Sequence, residues 1–308
     1  MHNTIPSALI ITGPTASGKT HLSYLIARNI PAEIINVDVG QFYTPLAVGT
    51  AKPDWKNSPF KHHLFDLLDS PQDINAYQFR TMVLNVITDI TQRGKLPILV
   101  GGSLFYLKSL FFPPSILEPI KEVKTFPLPL GQDIQESDNL WNFLHSIDPD
   151  RASQLHKNDL YRIKRALTIW NQTGQKPSTY TPNFLPTFNV HMIALVPPRD
   201  ELKNSINTRT ITMIENEKWI DEARLLIDTP WESFLKTKGL IGYETLFEWI
   251  RSGEKKETLP KVIEKIQQQT WHYAKRQLTF LNRLLTLLCE NFSHSSFLYE
   301  IVIASKIR

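Results

Sequence analysis

The eight residues Gly13-Pro14-Thr15-Ala16-Ser17-Gly18-Lys19-Thr20 limit what this chain can fold into more than any other feature. They match G-x-x-x-x-G-K-[ST], a turn whose chemistry requires a strand before it and a helix after it. Both are legible. Ala8–Thr12 is a short apolar, β-branched run, and Leu22, Leu25, Ile26 and Ile30 follow at helical spacing. In that setting the glycines let backbone amides converge on phosphate oxygens, and the helix presents its positive end. Lys19 adds a mobile charge, and Thr20 a hydroxyl able to ligate magnesium. The loop specifies phosphate and leaves the chemistry open: ATP in a kinase, GTP in a switch protein, or the pyrophosphate of another ester.

The strand–helix alternation continues. Ile34–Val37 reads as a second buried strand, Ala76–Arg93 as a helix closed by Gly94, and Pro97–Val100 as a third strand before Gly101-Gly102. Short connections between such elements predict a parallel sheet. Pro113, Pro114, Pro119, Pro127 and Pro129 then break up residues 113–130. Leu140–His145 and Asp159–Trp170 read as helices, Gly174–Pro186 as loop, Val190–Val196 as a strand, and Glu201 to about Leu288 as mostly helical. The expected class is therefore α/β, a P-loop NTPase-like core with a parallel sheet plus a mainly helical insertion. The core would span 1–115 with 189–290, the insertion 116–188, and a C-terminal tail 291–308.

Composition narrows the setting. The 308 residues include one cysteine, Cys289, so no intramolecular disulfide and no Cys-based zinc site can form. Net charge is +4, with cations dense at Arg162, Lys164 and Arg165 and again at Lys275, Arg276 and Arg283, which fits an anionic partner. Met1–Ser7 carries no basic leader, and Leu9–Thr12 is too short for a signal or membrane segment. We expect a soluble, cytoplasmic chain.

Asp38 follows the second strand, at the carboxyl edge of the sheet where ligands of open α/β folds bind. A carboxylate there can accept a proton, hold a metal's waters, or simply cap a turn. Gln41 offers an amide for an adenine edge and Tyr43 an aromatic platform. His62 and His63 lack partners for a zinc site in the sequence and read as turn packing. Trp219, Trp231, Phe247 and Trp249 read as core.

Together these elements resemble the tRNA dimethylallyltransferases. The resemblance runs through the phosphate loop, Asp38-x-x-Gln41-x-Tyr43, Gly49-Thr50-Ala51-Lys52-Pro53, His62-His63-Leu64-x-Asp66, and Arg93-Gly94-Lys95-x-Pro97 through Ser103. It continues in Arg162-x-x-Arg165-Ala166-Leu167, Ile241-Gly242-Tyr243 and Tyr273 through Thr279. It covers roughly residues 8–284. Val39 stands where the family usually has Ser, Ser103 where it has Thr, and Thr168, Glu244-Thr245 and Trp271 are further departures.

The resemblance implies transfer of a dimethylallyl group from dimethylallyl pyrophosphate to N6 of adenosine 37 in tRNA, releasing pyrophosphate. It implies Asp38 as base, Lys19 and Arg209 on the leaving pyrophosphate, and Ser103 at the reacting nucleotide. Gly13 to Thr20 would cradle the pyrophosphate, with magnesium as cofactor at Thr20. Asp38, Val39, Gly40, Gln41, Ser103, Tyr161, Arg162, Ile163, Lys164, Arg165, Ile241, Gly242, Tyr243, Lys275 and Arg276 would meet tRNA through its anticodon stem-loop. A monomer is expected, with no membrane. The alternatives are a P-loop kinase or an isopentenyltransferase acting on free adenine nucleotides and, from another class, a catalytically weak tRNA-binding protein.

Overall fold

The computed structural model describes residues 6–113, 136–180 and 182–305. In chain order the elements are β1 (Ser7–Thr12), α1 (Lys19–Asn29), β2 (Ala32–Asn36), β3 (His62–His63), α2 (Ala76–Gln92), β4 (Leu96–Gly101) and α3 (Leu104–Phe111). Then come α4 (Glu136–Ile147), α5 (Pro149–Ser153), α6 (Leu160–Thr173), β5 (Asn189–Leu195) and α7 (Arg199–Glu215). The chain ends in α8 (Trp219–Leu226), α9 (Pro230–Lys238), α10 (Tyr243–Arg251), α11 (Leu259–Phe292) and β6 (Tyr299–Ala304).

The six strands form one sheet in the order β3-β2-β4-β1-β5-β6, and every pairing is parallel. A parallel strand covered on both faces is a continuous apolar run rather than an alternating one. β1 obeys this, with Ala8 to Thr12 all buried. Leu9, Ile11, Ala27, Ile98 and Leu195 pack together on one face. Because β1 lies between β4 and β5, the chain leaves the centre of the sheet in both directions. The carboxyl end of β1 is then the crevice in which such sheets bind ligands.

α2 opens with a capping box: Asn75 accepts from the Gln78 amide while Gln78 accepts from the Asn75 amide. The interior positions Phe79, Val83, Ile87 and Ile90 keep the helical period expected of them. His63 joins Glu33 at 2.7 Å and His62 lies 3.3 Å from the Tyr24 hydroxyl, so the histidine pair packs the short edge strand β3. Trp219, Trp231, Phe247 and Trp249 are all buried.

The chain divides into two compact units. One joins 1–111 to 185–308 and contains the sheet; the other is 112–184. The second has its own core, in which Leu140, Leu144, Ala152, Leu155, Ile163, Ala166 and Leu167 pack together. Asp148 organises it from inside, accepting the Arg151 amide at 3.0 Å and the Ser178 amide at 2.6 Å. The proline-rich stretch expected over 113–130 lies, beyond Pro113, outside the described residues.

The tail expected over 291–308 holds a strand. Tyr299 to Ala304 pair with Val190 to Leu195 and extend the sheet past β5. The apolar residues of 299–304 are exposed on several sides, so the run shows neither the alternation nor the full burial by which a strand is read.

Candidate active site

Four connections converge at the carboxyl edge of the sheet. The phosphate loop follows β1, Asp38 follows β2, Gly101-Gly102-Ser103 closes β4, and Arg209 comes from α7 after β5.

The loop is fixed by close approach and by backbone conformation. At Gly13 (φ +146°) a Cβ would collide with the Leu195 carbonyl, so the loop can pass β5 only as glycine. Gly18 opens α1 in the left-handed region at φ 89°, and Ala16 is held there too at φ 61°. A non-glycine residue in that region is strain retained by its surroundings. Ala16 packs against Leu202 and Ile206 of α7 and Ala274 of α11, which supply those surroundings. The hydroxyl of Ser17 is buried without a hydrogen-bond partner. An orphaned donor in a loop of this type is an observation in favour of a phosphate there.

Around the loop two cations bond to the loop's own neutral groups. Lys19 Nζ donates to the Pro14 carbonyl at 2.6 Å, and Arg209 Nη2 donates to Thr15 Oγ1 at 2.5 Å. Burial pushes the Lys19 ammonium down to about 8, with the Asp38 charge opposing and Arg209 adding to the fall. Burial likewise lowers Arg209 and raises Asp38, against the pull of Lys19, the Gly40 amide and Arg209. A carboxyl raised this way is a better proton acceptor than a surface aspartate.

Asp38 is both a cap and a site residue. Its Oδ1 accepts the Gly40 amide at 3.1 Å, starting the short 3-10 turn Val39–Phe42, while Oδ2 takes no hydrogen bond among the described residues. Asn36 braces it from behind, accepting the Asp38 amide at 2.9 Å and donating to its carbonyl at 3.1 Å. Ser103 Oγ accepts the Val39 amide at 3.0 Å, so the hydroxyl at 103 satisfies the backbone at 39. Gln41 donates through Nε2 to the carbonyls of Thr50 and Ala51 at 3.1 and 3.3 Å. Lys19, Thr20, Asp38 and Gln41 line one cavity with Tyr24 and Gly101.

α11 has two faces. Ala274, Gln277 and Leu281 are buried, whereas His272, Lys275, Arg276, Thr279, Phe280 and Arg283 line an open groove. On the inner side Gln277 Oε1 accepts the Thr15 amide at 2.8 Å and its Nε2 donates to the Gly102 carbonyl at 3.0 Å. Burial, then the Asp38 charge, raises the Tyr273 phenol well above its usual range. In the sequence Tyr273 and Gln277 stand out only as members of the stretch Tyr273 through Thr279 that carries the resemblance.

Three expected nucleic-acid contacts are buried. Ile163 is fully buried in the core of the second unit, between exposed neighbours Tyr161, Arg162 and Lys164 and the half-buried Arg165. Tyr243 is 1% exposed, and its hydroxyl donates to Glu222 at 2.7 Å. Gly242 is buried with it, pressed on the Trp219 ring, leaving Ile241 as the half-exposed residue of that motif. The same Glu222 carboxylate accepts the amides of Ala47, Val48 and Gly49 at 2.8, 2.7 and 3.0 Å. Nothing in the local sequence singles out Glu222, because its partners lie far along the chain.

The donor set near the loop fits a hard cation that keeps most of its water. Thr20 is exposed at the start of α1, and among the described residues no cluster of three or more His, Cys, Asp or Glu side chains forms a metal cage. Among the same residues no helix is long and apolar enough to cross a membrane.

A G-x-x-x-x-G-K-T turn after the central strand of a parallel sheet, with an aspartate in the same cavity, defines an α/β protein with a P-loop NTPase-like core. The IPP transferase family model matches residues 41–284, and the chain belongs to that family. It is 34% identical over 291 residues to the tRNA dimethylallyltransferase of Pseudothermotoga lettingae, covering 94% of this chain and 91% of that one. Among solved structures it resembles the tRNA Δ(2)-isopentenylpyrophosphate transferase of Staphylococcus epidermidis (TM-score 0.60, 28% identity, 96% of this chain and 93% of that one). It also resembles a eukaryotic dimethylallyltransferase captured acting on tRNA (TM-score 0.71, 27% identity, 90% of this chain and 70% of that one).

Proposed function

We propose that this chain transfers the dimethylallyl group of dimethylallyl pyrophosphate to N6 of adenosine 37 in tRNA. The observation that carries the reading is the placement of Asp38, with its raised carboxyl, across the cavity from Lys19 and beside a phosphate loop that Arg209 also reaches. Family membership favours it over a kinase or an enzyme of free nucleotides.

Adenine N6 is a weak nucleophile, so both ends of the reaction need help. Asp38 Oδ2 accepts the N6 proton as nitrogen bonds to C1 of the allyl group and the C1–O bond breaks. The electron pair leaves on pyrophosphate. Lys19, Arg209, the Ser17 hydroxyl and the loop amides stabilise the charge that develops there. Thr20, exposed at the start of α1, would hold a magnesium ion, which would further neutralise that charge. Arrival of the anionic donor restores the Lys19 proton that burial makes labile.

The acceptor is a base in a folded loop, so extrusion into the pocket is the route that brings N6 to Asp38. Exposed Arg162 and Lys164 on α6, and separately the groove with Lys275, Arg276 and Arg283 on α11, fit the phosphate backbone of the anticodon stem-loop. A monomer in the cytoplasm completes the reading.

The test is incubation of the purified chain with undermodified tRNA and radiolabelled dimethylallyl pyrophosphate, with γ-labelled ATP in a parallel reaction. Label in adenosine of the tRNA supports transfer. Phosphoryl transfer from ATP in its place overturns it.

A further inference from the structure

We infer that Gln277 sets how many phosphates the loop accepts: its carboxamide closes the Thr15 end of the cradle, so a pyrophosphate ester fits and a triphosphate does not. The inference rests on the donor reading above and concerns a residue otherwise placed only within a polynucleotide-facing stretch.

The orientation of the carboxamide is set by its partners. The Thr15 amide can only donate and the Gly102 carbonyl can only accept, so Oε1 faces the loop and Nε2 faces the turn. The side chain is 6% exposed. It lies so close to the turn that a Cβ at Gly102 would stand 2.6 Å from Nε2, so only glycine at 102 admits it.

In loops of this type the backbone amides point at phosphate oxygens. Here the Thr15 amide is held by Gln277, while the Thr15 hydroxyl accepts from Arg209. The next residue, Ala16, is covered by Leu202, Ile206 and Ala274. Besides Arg209, the donors left for a ligand lie toward α1: the orphaned Ser17 hydroxyl, the half-buried Lys19, and exposed Gly18 and Thr20. They surround the helix N-terminus, where the first phosphates of a bound chain sit.

A further phosphate reaching for the Thr15 amide would find that amide already held by Oε1, an acceptor oxygen. Displacing the side chain would leave a buried carboxamide and the Gly102 carbonyl unpaired, a cost that a pyrophosphate does not incur. The same loop sequence that holds triphosphates elsewhere is thereby shortened by one side chain from a helix 262 residues along the chain.

The experiment measures binding of inorganic pyrophosphate and tripolyphosphate to the full chain with magnesium by titration calorimetry. Lys19→Ala serves as the control that separates loop binding from binding in the basic groove of α11. The wild-type chain should favour pyrophosphate by about fivefold or more, the scale of one exchanged hydrogen bond. Gln277→Ala should move the ratio toward tripolyphosphate by about the same factor. Gln277→Glu keeps an acceptor for the Thr15 amide and should move the ratio the other way, which covers the case in which Gln277→Ala fails to fold. A ratio unchanged in both variants, or a wild-type chain that binds the two ligands equally at the loop, overturns the role of Gln277 and leaves the donor reading standing. A wild-type chain that binds neither ligand at the loop overturns the donor reading and this inference with it.

Discussion

The Tyr243 hydroxyl donates to the Glu222 carboxylate at 2.7 Å, and through that carboxylate α10 is joined to the loop at 47–49. The loop in turn carries Thr50 and Ala51, whose carbonyls hold Gln41 beside Asp38. One carboxylate on α8 therefore braces the acceptor side of the site without touching it. Tyr243→Phe should lower stability by about 1 kcal/mol, the net worth of one hydrogen bond. Glu222→Gln, which turns an acceptor toward donation against three amides and a hydroxyl, should cost about 1–3 kcal/mol. Thermal unfolding reads both losses, and the salt dependence of tRNA binding should stay as in the wild type. A changed slope would return Tyr243 to the tRNA surface.

Lys19 gives the reaction an alkaline limit. Its pKa is lowered from 10.5 to about 8, so the free enzyme carries the charge below that pH and loses it above. kcat/KM for the donor should fall as pH rises through about 8. Lys19→Arg keeps its charge throughout the range, so whatever activity it retains should lack that limb. A wild-type profile flat to pH 10 would remove Lys19 from the pyrophosphate.

Asp38→Asn keeps the cap on Gly40 through its remaining oxygen and removes the proton acceptor. Transfer should fall by about 10²–10⁴-fold, the range of general base catalysis. The dissociation constant for tRNA, measured by filter binding, should change little. A variant with near wild-type turnover would show that another group takes the proton.

Arg165 sits on α6, one turn from exposed Arg162. Arg165→Ala should weaken tRNA binding across sequences and reduce the slope of log affinity against log salt by about 1. An identical slope would mean that the residue packs and does not pair with phosphate.

The loop, Asp38 and four of the strands could be read along the chain because each announces itself within a few residues. Glycine spacing marks the loop, apolar runs mark β1, β2, β4 and β5, and position after a strand marks Asp38. Glu222, Gln277 and the bond between Thr15 and Arg209 could not, since each acts through a partner 173 or more residues away. Ile163 and Tyr243 mislead for a related reason. They share motifs with exposed residues, and only the packing around them shows that their side chains point inward. β6 escaped because its apolar residues are largely uncovered.

β6 pairs with β5, yet α7 to α11 intervene between them in the chain. On a ribosome, β5 emerges with its outer hydrogen-bonding edge bare and waits for about a hundred residues to follow, roughly ten seconds at ordinary rates of synthesis. An open parallel edge is a template for strands of other chains. Until 299–304 arrive, nothing in the chain can cover that edge of β5, so the last strand made is the one that closes the sheet to pairing with a neighbour.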